Sequence, residues 1–129
     1  MNFSLFKPSL QLWSDEDLMA SIIKNGNEKA FEIIYERYQK KLIWFSRRLI
    51  GDEQAAEDIV HDTFIKIIDQ AELYKKSFKF STWIYAIVKN ASLTALKKES
   101  NRQLLLKDNY HAPKHDHLVI NIDNKILQE

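Results

Sequence analysis

Along most of the chain, apolar residues recur at spacings of three and four, the period of a helix buried on one face. Leu18 and Ile22, with Met19 and Ile23 beside them, mark a first helix. Ser14 precedes it with Asp17 three residues on, as in a capping box, and Asn25-Gly26 closes it. Asn27 is placed to cap a second helix, whose stripe is Phe31, Ile34, Tyr38, Leu42, Phe45 and Leu49 and which stops at Gly51. Asp52 caps a third, with Glu53 against the positive end of its dipole. Ala56, Ile59, Val60, Thr63, Phe64, Ile67 and Ile68 form its predicted buried face, while Asp58, Asp62, Ile65 and Asp69 recur on the other side. The pattern breaks from Gln70 to Lys79, which reads as a loop. A fourth helix, capped near Ser77 or Ser81, turns Ile84, Ile87, Val88, Ala91 and Ala95 inward and reaches about Glu99. Short connections favour antiparallel neighbours, so the expected fold is all-α, a small bundle of about four helices. Residues 14–101 make its body, after an N-terminal arm (1–13) and before a linker or tail (102–129) with Pro113 and three histidines.

Composition supports helices. The chain has 129 residues, 45% hydrophobic and 29% charged, enough for one core without metal or cross-links. It holds two glycines and two prolines, too few for a sheet joined by tight turns. With no cysteine, there is no disulfide framework, thiolate zinc site or thiol switch, which fits a reducing compartment. Met1 to Trp13 carries one lysine and no sustained apolar run, so it does not read as a secretory signal, and no stretch is long and apolar enough for a membrane span.

A net charge of +1 conceals a division. Between Asp52 and Glu72 the acids Asp52, Glu53, Glu57, Asp58, Asp62, Asp69 and Glu72 face Lys66 alone. Between Leu73 and Arg102 the bases Lys75, Lys76, Lys79, Lys89, Lys97, Lys98 and Arg102 face Glu99 alone. Adjacent segments of opposite sign imply two faces for two kinds of partner.

Two stretches carry a resemblance. Ala56-Glu57-Asp58-Ile59-Val60-His61-Asp62-Thr63-Phe64-Ile65-Lys66 and Phe80-Ser81-Thr82-Trp83-Ile84-Tyr85-Ala86-Ile87-Val88-Lys89-Asn90-Ala91 resemble region 2 of bacterial RNA polymerase sigma factors of the extracytoplasmic-function (ECF) type. Upstream, Asn27-Glu28-Lys29-Ala30-Phe31 and Tyr35-Glu36-Arg37-Tyr38 fit the way that domain opens, so the likeness runs over about residues 14 to 101. His61 stands where the family usually has Gln, Ile68 where Trp is frequent, Thr94 where an acid is typical and Lys97 where Arg is common.

The resemblance implies a cytoplasmic transcription initiation factor that binds and does not catalyse, with no cofactor. Its partners would be the clamp helices of the largest subunit of core RNA polymerase, the non-template strand of the promoter minus-ten element and an anti-sigma factor. The polymerase-binding residues would be Asp58, His61, Asp62, Ile65 and Asp69, an exposed aliphatic among carboxylates able to pair with partner arginines. On the DNA side, Tyr74, Phe78 and Phe80 would wall a pocket for an extruded base, and Lys75, Lys76 and Lys79 would hold phosphates. Asn90 would read a base edge, while Lys89, Lys97, Lys98 and Arg102 continue the phosphate track. Trp83 reads as core, and Arg47 and Arg48 as surface charges. Full-length members carry a second helical domain for the minus-thirty-five element, and this chain stops in what would be the linker.

Two other classes compete. The His61-Asp62 pair in a helical chain suggests a metal-dependent phosphohydrolase, but the remaining histidines, His111, His115 and His117, all fall in the tail. A helical module that binds only protein is the stronger rival, and it predicts no affinity for single-stranded promoter DNA.

Overall fold

The computed structural model describes residues 9–107. Among them are four α-helices and no strand: α1 Asp15–Asn25, α2 Glu28–Ile50, α3 Glu53–Asp69 and α4 Phe80–Leu105, with single 3-10 turns at Leu10–Leu12 and Ala71–Leu73. The start signals of the first three helices act as read. Ser14 Oγ accepts from the Asp17 amide (3.0 Å), Asn27 Oδ1 from Ala30 (3.1 Å) and Asp52 Oδ1 from Ala55 (3.2 Å), each satisfying an amide the helix leaves orphaned. Gly26 and Gly51 close α1 and α2 at φ 62° and 75°, a left-handed conformation in which any Cβ is strained.

The start of α4 differs from expectation. Neither Ser77 nor Ser81 caps it; the flanking residue is Lys79, which offers no side-chain acceptor. The first amide of α4, that of Phe80, instead donates to Glu16 Oε2 on α1 at 2.7 Å. A carboxylate from another helix thus meets the positive end of the α4 dipole. This helix also runs past Glu99 to Leu105, where Arg102 donates from Nε and Nη2 to the two Glu99 carboxylate oxygens (3.0 and 2.8 Å) and steadies the last turns.

α2 is the spine, packed against the other three helices. Phe31 and Tyr35, near its start, meet Phe64, late in α3 (6.1 and 4.8 Å between ring centroids), so these two helices run antiparallel. Tyr38 meets Phe80, Phe45 meets Tyr85 and Ser46 meets Ser92, so α4 runs parallel to α2. The core gathers Leu18, Met19, Ile34, Leu42, Val60, Phe64, Ile67, Ile84 and Val88 from all four helices. Leu10 and Trp13, expected in the arm, pack on this core. Arg37 holds them there, bonding Asp15 Oδ1 and the carbonyls of Gln11 and Trp13, each at 2.8 Å.

Four assignments of the apolar pattern change. Ile23 and Ile68 are exposed rather than core, since each lies at the rim of its helix's buried arc. Tyr74 and Phe80 are buried: the Phe80 ring is enclosed by Tyr38, Tyr74 and Trp83 at centroid distances of 5.4, 5.7 and 5.8 Å. Neither can wall an open base pocket, because their faces are already occupied.

Candidate functional site

The outward face of α3 carries Asp58, His61, Asp62, Ile65 and Asp69 together, all exposed and spaced by one helical turn. Among the described residues none of these carboxylates is in an ion pair; Asp58 accepts only the amide of Gln54, at 3.2 Å. Ile65, 45% exposed, lies within this acidic field. Beside it a groove of about 350 Å³ opens between α3 and α2, lined by Tyr35, Gln39, Ile43, Glu57, Asp58, Val60 and His61. Gln39 and Ile43 escaped the sequence reading because they sit on the flank of α2, off its core stripe. The packing of two helices made the groove, and no spacing within either one signals it.

A second cleft, of about 290 Å³, lies where α3, the Ala71–Leu73 turn and α4 meet, lined by Lys66, Ile67, Gln70, Leu73, Trp83 and Ile87. Next to it the loop bears Lys75, Phe78 and Lys79, all exposed, with Phe78 at 57%. Buried Tyr74 holds this loop by donating its hydroxyl to the Phe78 carbonyl (2.6 Å), and so it shapes the site from beneath. Lys76 is partly committed: its ammonium pairs with Asp17 Oδ1 on α1 at 3.1 Å. Trp83, expected as core, is half-buried between Tyr74 and the cleft. Leu73 (62% exposed) is an apolar group on this surface that the charge pattern did not single out.

The basic residues of α4 are strung out. Lys89 and Asn90 lie mid-helix, half-buried, while Lys97 stands about 26 Å from Phe80 at 1.5 Å per residue. Arg102 is exposed, but its fork is taken by Glu99, and the two answer each other. The Arg102 hydrogen bonds hold the Glu99 carboxyl below its usual range, and Glu99 raises the guanidinium. Under the domain, burial followed by the Asp15 hydrogen bond raises the Tyr38 phenol, and burial with the Glu16 and Asp15 charges raises Tyr74.

Among the described residues no three of His, Asp and Glu gather in a way that could hold a metal ion, and no helix is long and apolar enough to cross a membrane. His111, His115 and His117 lie outside the described residues.

The geometry is therefore an acidic face with its groove on one side, and an aromatic cleft with a basic loop on another. Residues 34–102 match the family model for sigma-70 region 2. The chain is 31% identical over 77 residues to the ECF RNA polymerase sigma factor SigW of Bacillus subtilis, covering 60% of this chain and 41% of that protein. It is 30% identical over 111 residues to the ECF RNA polymerase sigma-E factor of Haemophilus influenzae, covering 81% and 58%. Against the RNA polymerase sigma-H factor of Pseudomonas aeruginosa it is 28% identical over 80 residues, covering 62% and 42%. The chain thus spans between about two-fifths and three-fifths of the length of these relatives. No solved structure matches it. With the helical order, the motifs on α3 and α4 and the family match in agreement, the chain belongs to the sigma-70 region 2 family, and its likeness is to the ECF members.

Proposed function

We propose that residues 14–101 form the body of a cytoplasmic transcription initiation factor that docks on core RNA polymerase and captures the melted non-template strand of the minus-ten element. The observation that carries this reading is the separation of two unlike surfaces on one rigid bundle. On α3, unpaired carboxylates surround Ile65, which suits arginines and an apolar contact on a partner helix such as those of the polymerase clamp. Asp58, His61, Asp62 and Ile65 are the docking residues, with Asp69 at the edge and the α2–α3 groove ready for a partner side chain.

The DNA side needs a revised pocket. Phe78, Leu73 and Trp83 offer the accessible apolar surfaces around the second cleft, in place of Tyr74 and Phe80. Stacking there is worth roughly 1–3 kcal/mol per base, comparable with the few kcal/mol needed to extrude one from a duplex. Lys75 and Lys79 hold phosphates directly, and Lys76 joins them when it leaves Asp17. Asn90 reads a base edge, and Lys89, Lys97, Lys98 and Arg102 extend the track along α4. No covalent step is involved: the work is binding energy spent on holding a base outside the duplex. An anti-sigma factor, where one exists, would compete for the α3 face.

A gel shift with a non-template minus-ten oligonucleotide tests the reading against the protein-only alternative. A salt-sensitive complex with the single strand is expected; absence of any complex at low salt would favour the protein-only module.

A further inference from the structure

Three consecutive acids open α1, and each is aimed at a different part of the molecule. Asp15 takes the Arg37 guanidinium at 2.8 Å and the Tyr38 hydroxyl, both on α2. Glu16 takes the Phe80 amide at 2.7 Å, and Asp17 takes the Lys76 ammonium at 3.1 Å. The contacts of Asp15 and Glu16 are partly buried and brace the bundle. That of Asp17 is open to solvent, the side chains of Lys76 and Asp17 being 66% and 56% exposed. An ion pair so exposed adds little to stability. Asp17 is nonetheless fixed in place, since its own amide donates to Ser14 Oγ at 3.0 Å within the capped first turn. Lys76 is the member free to move. It borders a groove of about 240 Å³ between α1 and the loop, lined also by Glu16, Ala20, Ile23 and Tyr74, which leaves its chain room to swing. Its neighbours Lys75 and Lys79 are exposed and, among the described residues, in no ion pair. One of three loop cations is thus answered from within the chain, by a residue 59 positions earlier.

We propose that Asp17 is an autoinhibitory residue: its carboxylate stands where a strand phosphate would otherwise meet Lys76, and strand capture by the loop has to displace it. Carboxylate and phosphate oxygens make the same charge-assisted hydrogen bond to an ammonium, so they compete for one donor. In the free chain the loop then offers two cations instead of three, which weakens its hold on a phosphate chain. Magnitude makes the exchange reversible. An exposed pair holds its ammonium against solvent by up to about fivefold, weak enough for a polyanion to break and strong enough to register in affinity. The brake acts without loosening the fold, because Asp15 and Glu16 hold α1 to α2 and α4 whether or not Lys76 is engaged.

This inference rests on the strand-binding reading above, and the experiment separates the two. The affinity of the full chain for a short labelled DNA single strand is measured by anisotropy over a range of salt. Variants compared are Asp17→Asn, Lys76→Ala, these two combined, Glu36→Gln, and Lys75→Ala with Lys79→Ala. Glu36, an exposed acid on α2, controls for the loss of one negative charge. Asp17→Asn should tighten the strand by more than Glu36→Gln does, up to about fivefold. It should also steepen the slope of log affinity against log salt by up to about 0.7, one phosphate contact on a single strand. With Lys76→Ala already present, Asp17→Asn should add no more than Glu36→Gln does, and that non-additivity is the signature of the pair. Because the expected effect is a gain, a partly unfolded variant cannot imitate it. A gain no larger than that of Glu36→Gln, or one that survives Lys76→Ala in full, would overturn the latch in favour of diffuse charge. If Lys75→Ala with Lys79→Ala weakens the strand while Asp17→Asn leaves it unchanged, the latch is overturned and the strand-binding reading stands. A wild-type chain that ignores the strand would remove the reading and the latch together.

Discussion

Ser46 and Ser92 are both completely buried and face each other across α2 and α4, their Oγ atoms 2.7 Å apart. A lone hydroxyl there would have no partner, and an unsatisfied buried polar group costs about 1–3 kcal/mol. Ser46→Ala and Ser92→Ala should each destabilise by that order, and the double variant by less than their sum, as denaturant unfolding would register; simple additivity would contradict the pairing. Glu16 makes a comparable contribution from further off. Removing its carboxylate orphans the Phe80 amide, so Glu16→Ala should lower stability by about 1 kcal/mol in a urea titration, with Glu16→Gln, which keeps an acceptor, losing less. The same comparison explains what could be read in advance. Ser14, Asn27 and Asp52 act within three residues of themselves, so their role was visible in the sequence. The cap of α4 comes from a residue 64 positions earlier, and local pattern carries no trace of it.

Elements show a similar split. The stripes of α1, α2 and α3 predicted their own buried faces well, failing at the rim positions Ile23 of α1 and Ile68 of α3, where the width of a neighbouring helix decides burial. The segment after Gln70 was legible as a break and as basic, but the fate of its aromatics was not. Tyr74 and Phe80 turn under the loop and Phe78 turns out, a choice made by the ring cluster around Phe80. The loop accordingly divides into support and contact. Lys75→Ala with Lys79→Ala should reduce the salt slope of single-strand binding by about 1.4, whereas Lys76→Ala should matter less, because its ammonium already has a carboxylate in Asp17. Equal effects of all three lysines, measured by the same titration, would show that the Lys76–Asp17 pair does not persist in solution.

Over the whole molecule, the chemistry of α1 is drawn into stability as well as into shape. The Tyr38 hydroxyl donates to Asp15, and burial with this bond raises its folded value above the ordinary 10.0; Tyr74 is raised too, by burial and the Glu16 and Asp15 charges. With folded values above the unfolded one, this stabilisation is fully present below about pH 10 and declines as the pH rises towards the folded values. Urea midpoints on the two sides of pH 10 should therefore fall on the alkaline side, and Tyr38→Phe should blunt the fall. The central claim concerns the other surface. Charge division along the sequence suggested it, and the bundle turns Asp58, Asp62 and Ile65 outward on one face of α3. Copurification of the chain with core RNA polymerase, wild type against Asp58→Lys with Asp62→Lys, tests it most directly. The wild-type chain should be retained and the double variant lost while its helical content is unchanged; equal retention of both would contradict the docking face.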